Sequence, residues 1–127
     1  RFDHPNIIYH GEVPDSRQFG SEHSVLVAPC FAGGGMRVKI IEAMSLGKAV
    51  ITTTIGAEGI SIDHNMNILI ANTSAEFAGC IEAILKYPHV GEQIGKNALA
   101  FINKNYNILN IAQSLSDFYK NHLTQHD

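Results

Sequence analysis

The sequence predicts an α/β fold with a mostly parallel sheet, on three observations. Short runs rich in β-branched and apolar residues alternate with longer runs of helical periodicity. Ala49–Thr53 (AVITT) is almost continuously apolar or β-branched, as strands covered on both faces are. Between the apolar run Ser24–Ala28 and the helical run Met36–Leu46 lie three consecutive glycines, Gly33 to Gly35. Strand, glycine-rich turn and helix in that order belong to a βα unit, and such units build parallel sheets.

Asn6–His10 (NIIYH) reads as a first short strand ending at Gly11. Val13-Pro14-Asp15-Ser16 then supplies a turn and a helix start, with a short helix to Phe19 or Gly20. Ser24–Ala28 is the second strand, stopped by Pro29. The helix Met36–Leu46 carries apolar residues on more than one face, which predicts burial between the sheet and another layer, and Gly47 is placed to end it. Ala49–Thr53 and Asn67–Ala71 complete about four strands, with a second glycine-bearing loop, Ile55–Gly59, between them. Thr73 or Ser74 caps a helix running to Lys86, with Phe77, Ile81, Ile84 and Leu85 on one face. Pro88 interrupts it, His89–Lys104 continues at helical spacing, and Ile108–His122 closes the chain. Right-handed crossovers place both glycine loops near the carboxyl edge of the sheet, where open α/β sheets bind ligands.

The composition narrows the function. A chain of 127 residues that is 45% hydrophobic and 17% charged suits one domain. A net charge of −3, spread without basic runs, argues against a nucleic-acid partner. No apolar stretch approaches the roughly 18 residues of a membrane span. Cys30 and Cys80 have no CxxC spacing and read as thiols of a reducing compartment. The seven histidines are dispersed, so no metal site is expected. The chain begins at Arg1 without a methionine and reads as a piece of something longer.

The run Pro29–Glu42 (PCFAGGGMRVKIIE) carries the candidate chemistry. A helix N-terminus presents unpaired N–H groups and about half a positive charge, and glycine lets an anion approach the backbone. Arg37 and Lys39 put cations near that same end, where the dipole disfavours each by roughly 0.3–1 kcal/mol. A bound anion reverses that sign; without one, both are ordinary solvated residues beside a loop. Glu42 sits in an unusually apolar helix, either as a ligand-binding carboxylate or as an i,i+3 partner of Lys39 worth roughly 0.2–0.5 kcal/mol.

With these residues in view, the stretch GGGMRVKIIEAMSLGKAVITTTIGAEGI resembles the signature of the GT-B glycosyltransferases, in particular the large GT4-like group (glycosyl transferases group 1). Glu42-Ala43-Met44 matches the signature helix, Gly47–Ile51 the strand after it, and Ile55–Ile60 the next loop. NIIYHGEV at residues 6–13 and the helical tail are similar too, so the resemblance spans nearly the whole chain.

The resemblance implies a Rossmann-like three-layer domain, the C-terminal half of GT-B, followed by C-terminal helices. It implies that residues 1–127 are one partial donor-binding domain, with the acceptor domain and the start of the donor domain absent. The function it implies is binding of a nucleotide-diphosphate sugar in an enzyme that moves the sugar to an acceptor, in cell-envelope or capsule polysaccharide synthesis. The donor contacts would be Gly33, Gly34, Gly35, Met36, Arg37, Lys39 and Glu42, with Glu42 on the ribose hydroxyls as the second glutamate of a Glu-x7-Glu pattern. The first glutamate of that pattern falls at Gly34 and is missing. The resemblance assigns no catalytic side chain, metal or cofactor to this chain. It implies a carbohydrate or lipid-linked acceptor, held by the missing domain, and a cytoplasmic enzyme for which peripheral contact with the inner membrane face is open. It also implies that the fragment alone is inactive. Two alternatives stay open, a non-catalytic nucleotide-sugar-binding module and a GT-B-like sugar-nucleotide epimerase, because the fold hosts several functions.

Overall fold

The computed structural model describes residues 3–32, 37–106, 115–118 and 120–121. Three parallel strands form the sheet, β1 (Val25–Ala28), β2 (Ala49–Thr52) and β3 (Leu69–Ile70), in the order β1-β2-β3. Val25 lies opposite Ala49 and Ala28 opposite Thr52, while Ile51 and Thr52 face Leu69 and Ile70. An isolated parallel bridge joins His64 to Ile68 just before β3. Helices flank the sheet, α1 (Ser16–Ser21), α2 (Arg37–Ser45), α3 (Ser74–Lys86) and α4 (Pro88–Asn105) being the ones with defined bounds among the described residues.

Central β2 is buried at all four positions, which explains its unbroken apolar character. Its side chains alternate between two cores. Val50 joins Ala28, Ile40, Met44, Ile68, Ala98 and Ile102 on one face. Ala49 and Ile51 join Leu69, Ala71, Phe77 and Ile94 on the other. Helix α4 supplies residues to both clusters and so ties the two faces together. Each fully buried Ile or Met contributes roughly 1.5–3 kcal/mol.

The helix ends follow local chemistry. Asp15 caps α1, its carboxylate accepting from the N–H groups of Arg17 and Gln18 at 3.0 Å. Thr73 caps α3 by accepting from Glu76 N–H at 3.2 Å, and the Glu76 carboxylate reaches back to Asn72 N–H at 2.5 Å, one residue before the cap. Pro88 opens α4 in its first turn, where no backbone donor is needed. Gly47 has φ +72° directly after α2, the left-handed conformation that stops a helix.

Three expectations are corrected. Asn6–His10 is not a strand: Ile7 N–H bonds the His4 carbonyl in a turn, and Ile7, Ile8 and Tyr9 are exposed. An extended run becomes a strand only by pairing, and among the described residues β1 pairs with β2 alone. The described sheet therefore has three strands, not about four. Helix α2 is also less buried than its composition suggests, because Ile40 and Met44 are covered while Val38 is 75% exposed. Of the closing helix expected over Ile108–His122, residues 115–118 and 120–121 are helical and the remainder lies outside the described residues.

Candidate functional site

Because all three strands run the same way, the loops that follow them gather at one edge of the sheet. These are the loop leaving β1 at Pro29, the loop leaving β2 at Thr53 and the segment from β3 to the start of α3. Side chains stitch them together. Thr52 Oγ1 donates to the Ala28 carbonyl at 2.8 Å, and Thr53 Oγ1 donates to the Cys30 carbonyl. Gly56 N–H donates back to Thr53 Oγ1 at 3.0 Å. Thr54 N–H donates to Asn72 Oδ1, and Asn72 Nδ2 donates to Thr54 Oγ1, both at 3.0 Å. Gly56 is required here, since a Cβ would collide with Thr52 Oγ1 and crowd Cys30.

Of the residues proposed from the sequence, Gly33, Gly34, Gly35 and Met36 lie outside the described residues. Arg37 is the first residue of α2. Lys39 is exposed and Glu42 half-buried, and the two share the wall of one cavity of about 490 Å3. The structure thus brings Lys39 and Glu42 to the wall of one cavity.

The cavity also recruits residues that sequence reasoning did not assign to the site. Gly11, Val13 and Ser16 line it, as does Leu26 of β1. His10, Phe19 and His23 add an aromatic cluster, with ring centroids 5.0 Å apart for His10–Phe19 and 4.4 Å for Phe19–His23. The walls are thus mostly apolar, with one carboxylate, Glu42, and two ammonium groups, Lys39 and Lys48, a composition suited to a flat or ring-shaped ligand carrying hydroxyls. The signals for this wall were the position of Gly11–Val13 just after a run read as a strand and the family resemblance of residues 6–13.

Elsewhere the chemistry is quiet. Burial, and secondarily the Glu76 carboxylate, push the Cys80 thiol up from its ordinary value, so its thiolate is disfavoured. A wider groove between β3, α3 and α4 is lined by Leu69, Ile84, Val90 and Ile94 and contains none of the proposed donor contacts. No group of three or more His, Cys, Asp or Glu among the described residues is placed to hold a metal ion. No described helix is long and apolar enough to cross a membrane.

Comparison with known proteins adds the family. A family model described as glycosyl transferases group 1 matches residues 2–87. A Klebsiella pneumoniae protein described as an uncharacterized 44.6 kDa protein in the cps region is 31% identical over 91 residues, which is 72% of this chain and 24% of that protein. Among solved structures, Anabaena Alr3699/HepE in complex with UDP-glucose superimposes with a TM-score of 0.70 at 23% identity, over 82% of this chain and 29% of that one. The C-terminal domain of a Francisella tularensis group 1 glycosyl transferase, LpcC, superimposes with a TM-score of 0.65 at 22% identity, over 77% of this chain and 52% of that one. The chain therefore spans about a quarter of its curated relative and matches these structures in fold.

Proposed function

The chain belongs to the group 1 glycosyltransferases, and from that premise we propose that it forms the donor-binding part of an enzyme transferring a sugar from a nucleotide diphosphate to an acceptor. The product is a cell-envelope or capsule polysaccharide, a reading supported by the relative from a cps region. A nucleotide-sugar donor is supported by the UDP-glucose complex of Alr3699/HepE. The observation that carries the reading is Glu42, half-buried on α2 and opening into the cavity shared with Lys39, Gly11 and Val13.

In this reading the Glu42 carboxylate accepts hydrogen bonds from the ribose hydroxyls while the apolar wall takes the base. The same reading assigns the diphosphate or the sugar to the amides of Gly33–Met36, with Arg37 and Lys39 adding positive charge. As the bond from sugar to diphosphate breaks, charge grows on the leaving oxygens. Donors already aimed there lower the barrier without reorganising. In this reading the acceptor is held by the remainder of the enzyme, which works in the cytoplasm.

A second reading, a nucleotide-sugar-binding module without catalysis, is motivated by Gly34 at the position of the missing first glutamate. The deciding experiment incubates the whole enzyme, and separately residues 1–127, with a panel of nucleotide sugars and glycan or lipid-linked acceptors. Product from the whole enzyme and none from the fragment is expected. Positioning of the acceptor supplies on the order of several kcal/mol, because the entropy lost in bringing two reactants together is paid on binding, before the reaction. Donor binding by the whole enzyme with no product from any pair would favour the binding module.

A further inference from the structure

We propose that His64 is a pH-dependent cover for the outer edge of β3, closing that edge to strand addition when its ring is neutral and releasing a backbone N–H when the ring is protonated. Among the described residues β3 has β2 on one side and no strand on the other. Such an edge offers backbone groups to any passing strand unless something occupies them. Ala71 N–H turns inward and donates to the Thr52 carbonyl at 2.8 Å. The N–H of Ile70, one residue earlier, therefore turns outward. It donates to Nδ1 of His64 at 2.9 Å. The Ile68 carbonyl accepts from Asn65 N–H at 2.8 Å. The chain around His64 thus folds back along β3, with an isolated parallel bridge between His64 and Ile68, and stands where a further strand would pair. Asn65 permits the fold-back by taking φ +64°, a conformation asparagine tolerates better than most residues.

The bond fixes the state of the ring. A backbone N–H can only donate, so Nδ1 is the unprotonated nitrogen and the ring proton sits on Nε2. Protonating the ring puts an N–H on Nδ1, facing the N–H of Ile70, and the bond is lost. Histidine is the side chain that makes this change between about pH 5 and pH 8. His64 is exposed, so its ring exchanges protons directly with solvent. Two further bonds of the fold-back use groups that do not titrate. Asp63 N–H donates to Asn67 Oδ1 at 2.9 Å, and Asn97 of α4 donates to the Met66 carbonyl at 2.8 Å. In the groove that His64 lines, α3 presents Glu76 and Cys80, while α4 presents Val90 and Ile94, which carry no titrating group. The Glu76 carboxylate is engaged by Asn72 N–H, and burial keeps the Cys80 thiol protonated. Asp63 precedes His64 on its own loop and adds a second carboxylate.

The test follows amide exchange of the intact protein from about pH 8 to about pH 5, as protection relative to free peptide, in the wild type, His64→Asn and His64→Leu. Asparagine places Oδ1 where Nδ1 stands and does not titrate, and leucine offers no acceptor. At the alkaline end, Ile70 is expected to be protected in H64N within about twofold of the wild type and about tenfold less in H64L, the scale of one hydrogen bond. At the acid end the wild type is expected to fall to the H64L level while H64N holds. Ala71, bonded inward, is expected to keep its protection throughout. All three proteins retain Asp63, Glu76 and Cys80, so the comparison isolates the ring. Nitrogen shifts of the His64 ring in the wild type give a check that needs no variant, with the proton expected on Nε2 at the alkaline end. A proton on Nδ1 there overturns the proposal, as does wild-type protection at Ile70 that matches H64N down to the acid end. An H64L protein as protected at Ile70 as the alkaline wild type overturns it too. Loss at Ala71 in step with Ile70 also overturns it, because β3 as a whole would then be opening.

Discussion

Gly95 of α4 lies directly against the backbone carbonyl of Gly47, with no room for a Cβ between them. Gly47 is the residue that ends α2 with φ +72°. The stop of one helix thus seats the middle of another, and α4 passes close enough to place Ala98 and Ile102 in the core beside Ile40 and Met44. The helix bearing Glu42 is held in place partly through this contact.

Gly95→Ala should therefore destabilise the fold by about 1–3 kcal/mol or more, because the carbonyl it meets belongs to the backbone and cannot rotate away. Gly79→Ala is the control. Nothing lies within 4 Å of its added Cβ, and it sits inside α3. There the gain in helix propensity should stabilise by roughly 0.5–1 kcal/mol. Urea melts of both variants measure the two signs; equal effects would remove the close-contact explanation.

Glu42→Gln in the whole enzyme should weaken donor use by about 1–3 kcal/mol, the range for a lost hydrogen bond to a charged group. Its motive is the half-buried carboxylate opening into the cavity beside Gly11 and Val13. Steady-state kinetics with varied nucleotide sugar provide the measurement. Unchanged donor kinetics would return Glu42 to a structural role.

Arg37→Ala and Lys39→Ala should each cost more affinity for a nucleoside diphosphate than for the bare nucleoside. Two cations at a positive helix end gain when an anion sits there. Calorimetry with UDP and uridine separates the contributions, and equal losses for both ligands would place the cations away from the phosphates.

Cys80 should react with iodoacetamide more slowly in the native protein than after unfolding at the same mildly alkaline pH. Its folded-state thiol is raised above the ordinary value by burial and then by Glu76, so less thiolate is present until the pH climbs through that raised value. By the same sign, the stability gained from the protonated thiol is fully present below the unfolded-state pKa and is lost as pH rises through the folded one. Peptide mapping of the labelled cysteines gives the rate, and labelling at the unfolded rate would contradict the shift.

The helices and the central strand were legible because their signals are local. Thr73 with Glu76 three residues on marks the start of α3, and the glycine after Leu46 marks the end of α2. The uninterrupted apolar AVIT predicts β2 buried on both faces, as it is. Asn6–His10 shows where that logic stops. Its residues are as strand-like as those of β1, but a strand exists only with a neighbour, and no local pattern names the neighbour. Glu42 and Lys39 were readable as candidates from their spacing after the glycine run; the cavity they share was not, because Gly11 and Val13 approach it from about thirty residues away.

By itself, then, the sequence determined the α/β class and the order and type of most elements, and it nominated candidates for an anion and a ribose. Periodicity, caps and glycine stops act within a turn or two of chain and need no distant partner. The tertiary structure alone decided that three strands pair, that α4 bridges both cores, and that Thr53 reaches the Cys30 carbonyl across 23 residues. Those outcomes depend on which surfaces meet after the chain has closed long loops, a choice made by mutual burial and hydrogen bonding rather than by neighbours along the chain.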